Sequence, residues 1–152
     1  MAHVAYHAEL GGPDGSVLMY AHFDGATWFF STSFDKGEKM AAVHGSAADD
    51  VWMVGELTVY RGRGSTSSAA AYHFDGKSWQ KGTISGRPLR AVYVASHKEA
   101  YALGEDTVMA WDGSAWRDIR SNLVGAYTLI YSPGGGVVFV AGDRQSVMHK
   151  EK

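Results

Sequence analysis

Short apolar and aromatic runs alternate with polar, glycine-rich segments along the whole chain. Three of the runs end at an Asp-Gly pair, and a tryptophan follows each pair after two further residues. An Asp-Gly pair between two such runs is a strong signal for a β-hairpin, because both residues tolerate the positive φ of a tight turn. No run has helical periodicity, so the pattern predicts an all-β chain without a helix. The turns and their tryptophans are Asp24-Gly25 with Trp28, Asp75-Gly76 with Trp79, and Asp112-Gly113 with Trp116.

The hairpins belong to a longer internal repeat. Three segments align with one another without a gap: residues 40–52, 89–101 and 126–138. This alignment makes Trp52, Tyr101 and Val138 equivalent. The unit that contains Trp52 is longer than the next one, and most of its extra length lies in residues 61–68. Because that segment is polar and rich in Gly and Ser, we expect an inserted surface loop there.

Each repeat unit contains four short predicted strands, which we call first to fourth. Residues 40–84 and 89–119 form two complete units. A partial unit at residues 4–34 lacks the first strand, and another at residues 126–152 lacks the fourth. We place the strands at residues 4–10, 17–23, 27–33, 40–45, 51–57, 70–74, 78–84, 89–95, 100–105, 107–111, 115–119, 127–132, 137–142 and 146–150.

Repetition of one four-stranded antiparallel unit is typical of the blades of a β-propeller. We therefore predict a single all-β domain over residues 1–152, a propeller or propeller segment of about three and a half blades. A β-sandwich is the alternative fold. The composition suits strands joined by many turns, since the chain has 19 glycines, eight tyrosines and six phenylalanines.

Two segments of the second unit carry a resemblance to known proteins. The sequences DVWMVG (residues 50–55) and YHFDGKSW (residues 72–79) resemble the repeats of bacterial β-propeller proteins. The turn is loosely similar to the Asp-box, Ser-x-Asp-x-Gly-x-Thr-Trp, but His22, His73 and Ala110 stand in place of its serine. The resemblance covers nearly the whole chain and implies a fold rather than a function. In those families the Asp-Gly turn is structural and lies away from the binding face, which implies the same role for Asp24, Asp75 and Asp112.

Charge and composition argue against several classes of function. The formal net charge is −2 and the pI is near 6.4, so we expect no binding to nucleic acid or to anionic membranes. The chain has no cysteine, which excludes disulfides, thiol chemistry and cysteine-based zinc sites. No apolar run approaches the ~20 residues of a membrane span. The N-terminus lacks a signal-peptide pattern, so we expect a cytoplasmic location if this N-terminus is the native one.

No catalytic, metal-binding or cofactor-binding motif is present, so we predict no such residues. The predicted function is a non-catalytic binding or assembly module. Its alternatives are a lectin that stacks sugars on repeated aromatic residues and a glycosidase. Sialidases with Asp-box turns need an arginine cluster on the inner strands, whereas here only Arg90 lies in a predicted first strand. Trp28, Trp79 and Trp116 are either ligand platforms or packing residues between blades, and we favour packing.

The outermost repeat units each lack one strand, which would leave a propeller ring open. An open ring exposes strand edges and apolar blade faces. A second copy related by two-fold symmetry would cover both open ends and give a ring of about eight blades. We therefore expect a homo-oligomer, or else a partner chain that supplies the missing blades; a monomer closed into a ring of four uneven blades is the third alternative.

Overall fold

The computed structural model describes residues 2–9, 16–31, 37–121, 123–142 and 147–150. These residues form β-strands and turns, and none of them belongs to a helix that could cross a membrane. The strands are β1 (Ala2–Glu9), β2 (Ser16–Phe23), β3 (Trp28–Ser31), β4 (Glu38–Ala47), β5 (Asp50–Arg61), β6 (Gly64–Phe74), β7 (Trp79–Lys81), β8 (Leu89–Ser96), β9 (Glu99–Gly104), β10 (Thr107–Trp111), β11 (Trp116–Ser121), β12 (Tyr127–Gly134), β13 (Val137–Gly142) and β14 (Val147–Lys150).

Short turns place consecutive strands side by side in four antiparallel sheets. Sheet 1 contains β1–β3, sheet 2 contains β4–β7, sheet 3 contains β8–β11 and sheet 4 contains β12–β14. The all-β prediction is confirmed, and each predicted strand overlaps one observed strand. The predicted strand ends at Leu10, at residues 32–33 and at Ser146 lie outside the described residues.

The four sheets contact one another in chain order. Strands β1 and β2 contact β4, strands β4 and β5 contact β8, and strands β8 and β9 contact β12. We call the side of a sheet that packs on the next sheet its forward face, and the opposite side its rear face. The corresponding side of sheet 4 is also called its forward face, and the corresponding side of sheet 1 its rear face. Among the residues whose side chains the structure describes, two apolar clusters form the core, one between sheets 2 and 3 and one between sheets 3 and 4.

The pairing of first and second strands is the same in sheets 2, 3 and 4. In each sheet a bulge interrupts this pairing, and a glycine lies opposite the residue before the bulge: Gly55, Gly104 and Gly142. The shared register makes Trp52, Tyr101 and Phe139 equivalent. The alignment that paired Tyr101 with Val138 is therefore wrong by one residue. The shift runs through the whole segment, because the register makes Tyr127 and not Ala126 the equivalent of Leu89.

The repeated glycine reflects a close approach of two backbones at the bulge. A Cβ atom at Gly55 would overlap the carbonyl oxygen of Lys39, and one at Gly142 would overlap the carbonyl oxygen of Ala126. Glycine in a strand interior often marks such an approach. The bulge and its glycine thus form a structural signature of the repeat, beside the Asp-Gly turn.

The inserted segment, residues 61–68, was predicted to be a surface loop. It is instead part of a β-hairpin, so the prediction of its secondary structure was wrong. Strands β5 and β6 remain paired as far as Arg61 and Gly64. The hydroxyl oxygens of Thr58 and Ser67 lie 2.9 Å apart across this extension. Gly and Ser were interpreted as loop residues, but Thr66 is β-branched and pairs with the β-branched Val59 of β5, which suits a strand. The hairpin is exposed, as expected for an insertion.

We expect Gly55→Ala to destabilise the protein by about 1–3 kcal/mol, because the added methyl group must displace the Lys39 carbonyl. Gly64→Ala is the matched control, since the nearest atom to a Cβ there is the Arg61 carbonyl oxygen at 3.8 Å. Urea unfolding followed by circular dichroism measures both variants. Equal midpoints for the two variants would contradict a close approach at the bulge.

Candidate functional site

The Asp-Gly turns share one set of hydrogen bonds. Asp75 Oδ1 accepts bonds from the backbone N–H groups of Ser78 and Lys77, each at 2.9 Å. These bonds stabilise the ionised carboxylate and hold the pKa of Asp75 below its ordinary value. Asp24 and Asp112 accept the same pair of bonds, and a serine hydroxyl helps to lower the pKa of Asp112 to about 2. The φ angles of the glycines are 111°, 88° and 92° at Gly25, Gly76 and Gly113.

An aromatic pair closes each of these hairpins. The ring centroids lie 5.3, 5.3 and 5.9 Å apart in the pairs Phe23–Trp28, Phe74–Trp79 and Trp111–Trp116. The equivalent tryptophans differ in exposure, since Trp28 is 44% exposed, Trp79 is half-buried and Trp116 is 8% exposed. The ring of Trp52 lies against Trp116 edge to face at 5.1 Å. Burial of the pair therefore depends on the sheet that lies against it.

A buried carboxylate, Asp50, joins two strands of sheet 2. It accepts a hydrogen bond from the Ser46 hydroxyl, and its Oδ1 lies 2.9 Å from His73 Nε2. The His73 ring stacks on Trp52 with centroids 4.7 Å apart. Because the hydroxyl donates to the carboxylate and not to the imidazole, this arrangement does not activate a nucleophile. Among the described residues, no group of three or more His, Asp and Glu side chains could hold a metal ion.

A groove of about 610 Å³ opens between sheets 2 and 3. Its apolar lining consists of three indole rings and two aliphatic side chains: Trp52, Trp111, Trp116, Ile84 and Ala115. Its polar part consists of side chains that can donate hydrogen bonds: His73, Gln80, Lys81, Thr83, Ser85 and Ser114. Concave sites with aromatic walls and a few polar groups are typical binding sites for small ligands.

Aromatic residues also connect the first strands of successive sheets. The His44 ring stacks on Tyr93 at 4.5 Å, and the Tyr93 ring meets Tyr131 edge to face at 5.0 Å. These three residues occupy one register position, opposite Trp52, Tyr101 and Phe139 in their sheets. His44 Nδ1 accepts a hydrogen bond from the Val94 backbone N–H at 3.0 Å. Burial lowers the pKa of His44, which favours the neutral ring that this bond requires.

Glu99 connects sheet 3 to sheet 4. Its carboxylate accepts hydrogen bonds from the backbone N–H groups of Gly135 at 3.3 Å and Gly136 at 2.9 Å. The Tyr101 hydroxyl also donates to Glu99, at 2.8 Å. Burial raises the pKa of Tyr101 to about 12, and the bond to Glu99 adds to this effect. Glu99 thus attaches the turn between β12 and β13 to sheet 3, and Ser132 bonds to Gly134 and Val137 within the turn.

The forward face of sheet 4 is apolar and open. Leu129, Tyr131 and Phe139 lie on it and are 66%, 52% and 36% exposed. At the Phe139 position, the equivalent Trp52 and Tyr101 are only 2% and 5% exposed, because the next sheet covers them. At this position sheet 4 therefore presents to solvent a side chain whose equivalents in sheets 2 and 3 are buried.

Sequence reasoning missed this surface and the groove. The alignment with Val138 assigned Phe139 to the opposite face of its strand, because side chains alternate between faces. Aligning Gly55, Gly104 and Gly142 in the sequence would have corrected the register and placed Phe139 with Trp52 and Tyr101. The groove had no such signal, since its lining comes from residues distant in the sequence.

Comparisons of the chain with protein-family models, with curated proteins and with solved structures gave no match. The class of the protein is therefore defined by its architecture, an all-β chain of four antiparallel sheets packed in chain order.

We expect Glu99→Gln to destabilise the docking of the β12–β13 turn by about 1.5–3 kcal/mol, the scale of hydrogen bonds to a charged group. Amide hydrogen exchange of Gly135 and Gly136 should accelerate, and the pKa of Tyr101 should fall from about 12 because the carboxylate is lost. Glu105→Gln is the control, because the ion pairs of Glu105 with Arg87 and Arg90 are exposed to solvent. Unchanged exchange at both glycines would show that Glu99 does not hold this turn.

Proposed function

We propose that the chain is a non-catalytic β-propeller-type module for binding and assembly, in which the four sheets serve as blades. The repeated register and the packing of sheets in chain order support this proposal. The rings of His44, Tyr93 and Tyr131 also support it, since the innermost strands of propeller blades are neighbours around a central channel. The resemblance of the repeats to bacterial propeller proteins agrees with these observations.

The proposal that the chain assembles with other chains rests on the open forward face of sheet 4. Contiguous exposed apolar patches mark interaction surfaces, and the equivalent surfaces in this chain are covered by another sheet. Full burial of a large apolar side chain contributes about 1.5–3 kcal/mol, so covering Leu129, Tyr131 and Phe139 would favour association. We propose that a second copy of the chain covers this face and forms a homo-oligomer. A different chain with further blades is the competing partner.

We expect a solution mass above the 16.4 kDa of one chain, measured by light scattering coupled to size exclusion. Leu129→Asp should reduce the mass to that of one chain, because an unpaired carboxylate in an apolar contact costs several kcal/mol. Val124→Asp is the control, since Val124 is 89% exposed and lies outside this face. A wild-type mass of 16.4 kDa at micromolar concentration would contradict self-assembly.

Carbohydrate binding is a second candidate function, and the groove between sheets 2 and 3 favours it. Trp111 is partly exposed in the groove and offers an apolar surface to the C–H groups of a pyranose ring. Gln80, Thr83 and Ser85 are exposed and could bind sugar hydroxyl groups. This site differs from a once-per-blade platform on Trp28, Trp79 and Trp116, whose exposures are unequal.

A glycan array and titration with a positive glycan test this candidate. Binding should change the tryptophan fluorescence, because three indole rings line the groove. Thr83→Ala should weaken binding by about two- to tenfold, the effect of one lost hydrogen bond. Thr66→Ala, on the distant β5–β6 hairpin, should leave the affinity unchanged. An array without signal, or equal affinities for the two variants, would contradict carbohydrate binding in this groove.

A further inference from the structure

The rear face of sheet 1 carries an aromatic pair that complements the open face of sheet 4. By register, Phe23 and Trp28 are equivalent to Trp111 and Trp116 of sheet 3. In sheet 3 this pair is covered by the preceding sheet, and Trp116 is 8% exposed. In sheet 1, Trp28 is 44% exposed. The chain therefore presents both halves of the contact that it makes internally between sheets 2 and 3.

The internal contact shows how such halves fit together. Trp52, on the forward face of sheet 2, lies 5.0 Å from the Trp111 ring and 5.1 Å from the Trp116 ring. Phe139 is the equivalent of Trp52 on sheet 4. Tilted and edge-to-face aromatic pairs of this kind stabilise a contact beyond the burial of their area.

We infer that Phe139 of one copy packs against Phe23 and Trp28 of a second copy, forward face to rear face. This inference rests on the proposed self-assembly and names the surface of the second copy that sheet 4 binds. Both apolar clusters among the described residues join a forward face to a rear face. Pairing of two sheet 4 faces with each other would instead require a packing that neither cluster uses.

This contact also determines the symmetry of the assembly. Each copy carries one open forward face and one exposed rear pair, so two copies can contact each other twice. A two-fold axis then relates the two identical contacts, and the assembly closes without leaving either surface exposed. The closed dimer would contain eight sheets, four from each chain.

Charge-swapped variants test the inference by light scattering over a concentration series. Phe139→Lys and Trp28→Glu should each weaken self-association by at least about tenfold, since buried aromatic anchors dominate interfaces. An equimolar mixture should regain the oligomer mass. In the mixed dimer the introduced lysine and glutamate meet at one contact, and the unchanged Phe139 and Trp28 meet at the other. Val124→Asp is the control for an added surface charge, and circular dichroism checks that every variant is folded.

The outcomes separate this inference from the proposed assembly. If the wild-type chain is monomeric, both fail. If Phe139→Lys dissociates the oligomer and Trp28→Glu does not, self-assembly stands and the rear face of sheet 1 is not the partner. If each variant dissociates the oligomer and the mixture stays monomeric, the pairing of Phe139 with the Phe23–Trp28 pair is overturned. Recovery in the mixture alone supports the inference, because pairing between two sheet 4 faces does not bring position 139 to position 28.

Discussion

In sheets 2 and 3 the next sheet covers the aromatic side chain of the second strand, and most of the structure depends on this contact. Trp52 and Tyr101 are almost fully buried, and each lies in an apolar cluster between two sheets. A single antiparallel sheet could not shield such a residue, so each repeat unit depends on its neighbour. Two further features support the same packing. The glycine at the bulge allows the first and second strands of a sheet to approach closely, and the hydrogen bond from the Val94 N–H to His44 joins sheet 3 to sheet 2.

The strands and hairpins could be predicted because their signals are local. The turn at Asp75 needs only an acceptor side chain and a glycine with positive φ, and both can be identified in a short segment. The alternation of apolar residues likewise located every strand. Gly and Ser misled the prediction at residues 61–68, because in this hairpin pairing with β5 outweighs the turn propensity of the residues in β6.

The candidate surfaces could not be predicted with the same certainty, because they depend on register and on contacts between distant residues. The alignment started one residue too early, at Ala126 instead of Tyr127, and this shift moved Phe139 to the wrong side of its strand. Trp28 and Trp116 occupy the same place in the repeat, yet their exposures differ because their covering differs. A repeat sequence thus specifies which residues are equivalent, whereas the neighbouring sheet determines which of them are accessible.

The chemistry of the central aromatic residue also differs between buried and open faces. Tyr101 has a hydroxyl group, and Glu99 of the same chain accepts its hydrogen bond. Phe139 has no polar atom and needs no hydrogen-bond partner when it is buried. A buried polar atom without a partner costs about 1–3 kcal/mol, and a second molecule would have to supply that partner at the moment of association. Phenylalanine beside Leu129 avoids this requirement, and the Tyr131 hydroxyl can remain in water at the edge of a contact. The composition of this face therefore suits a contact that forms after folding.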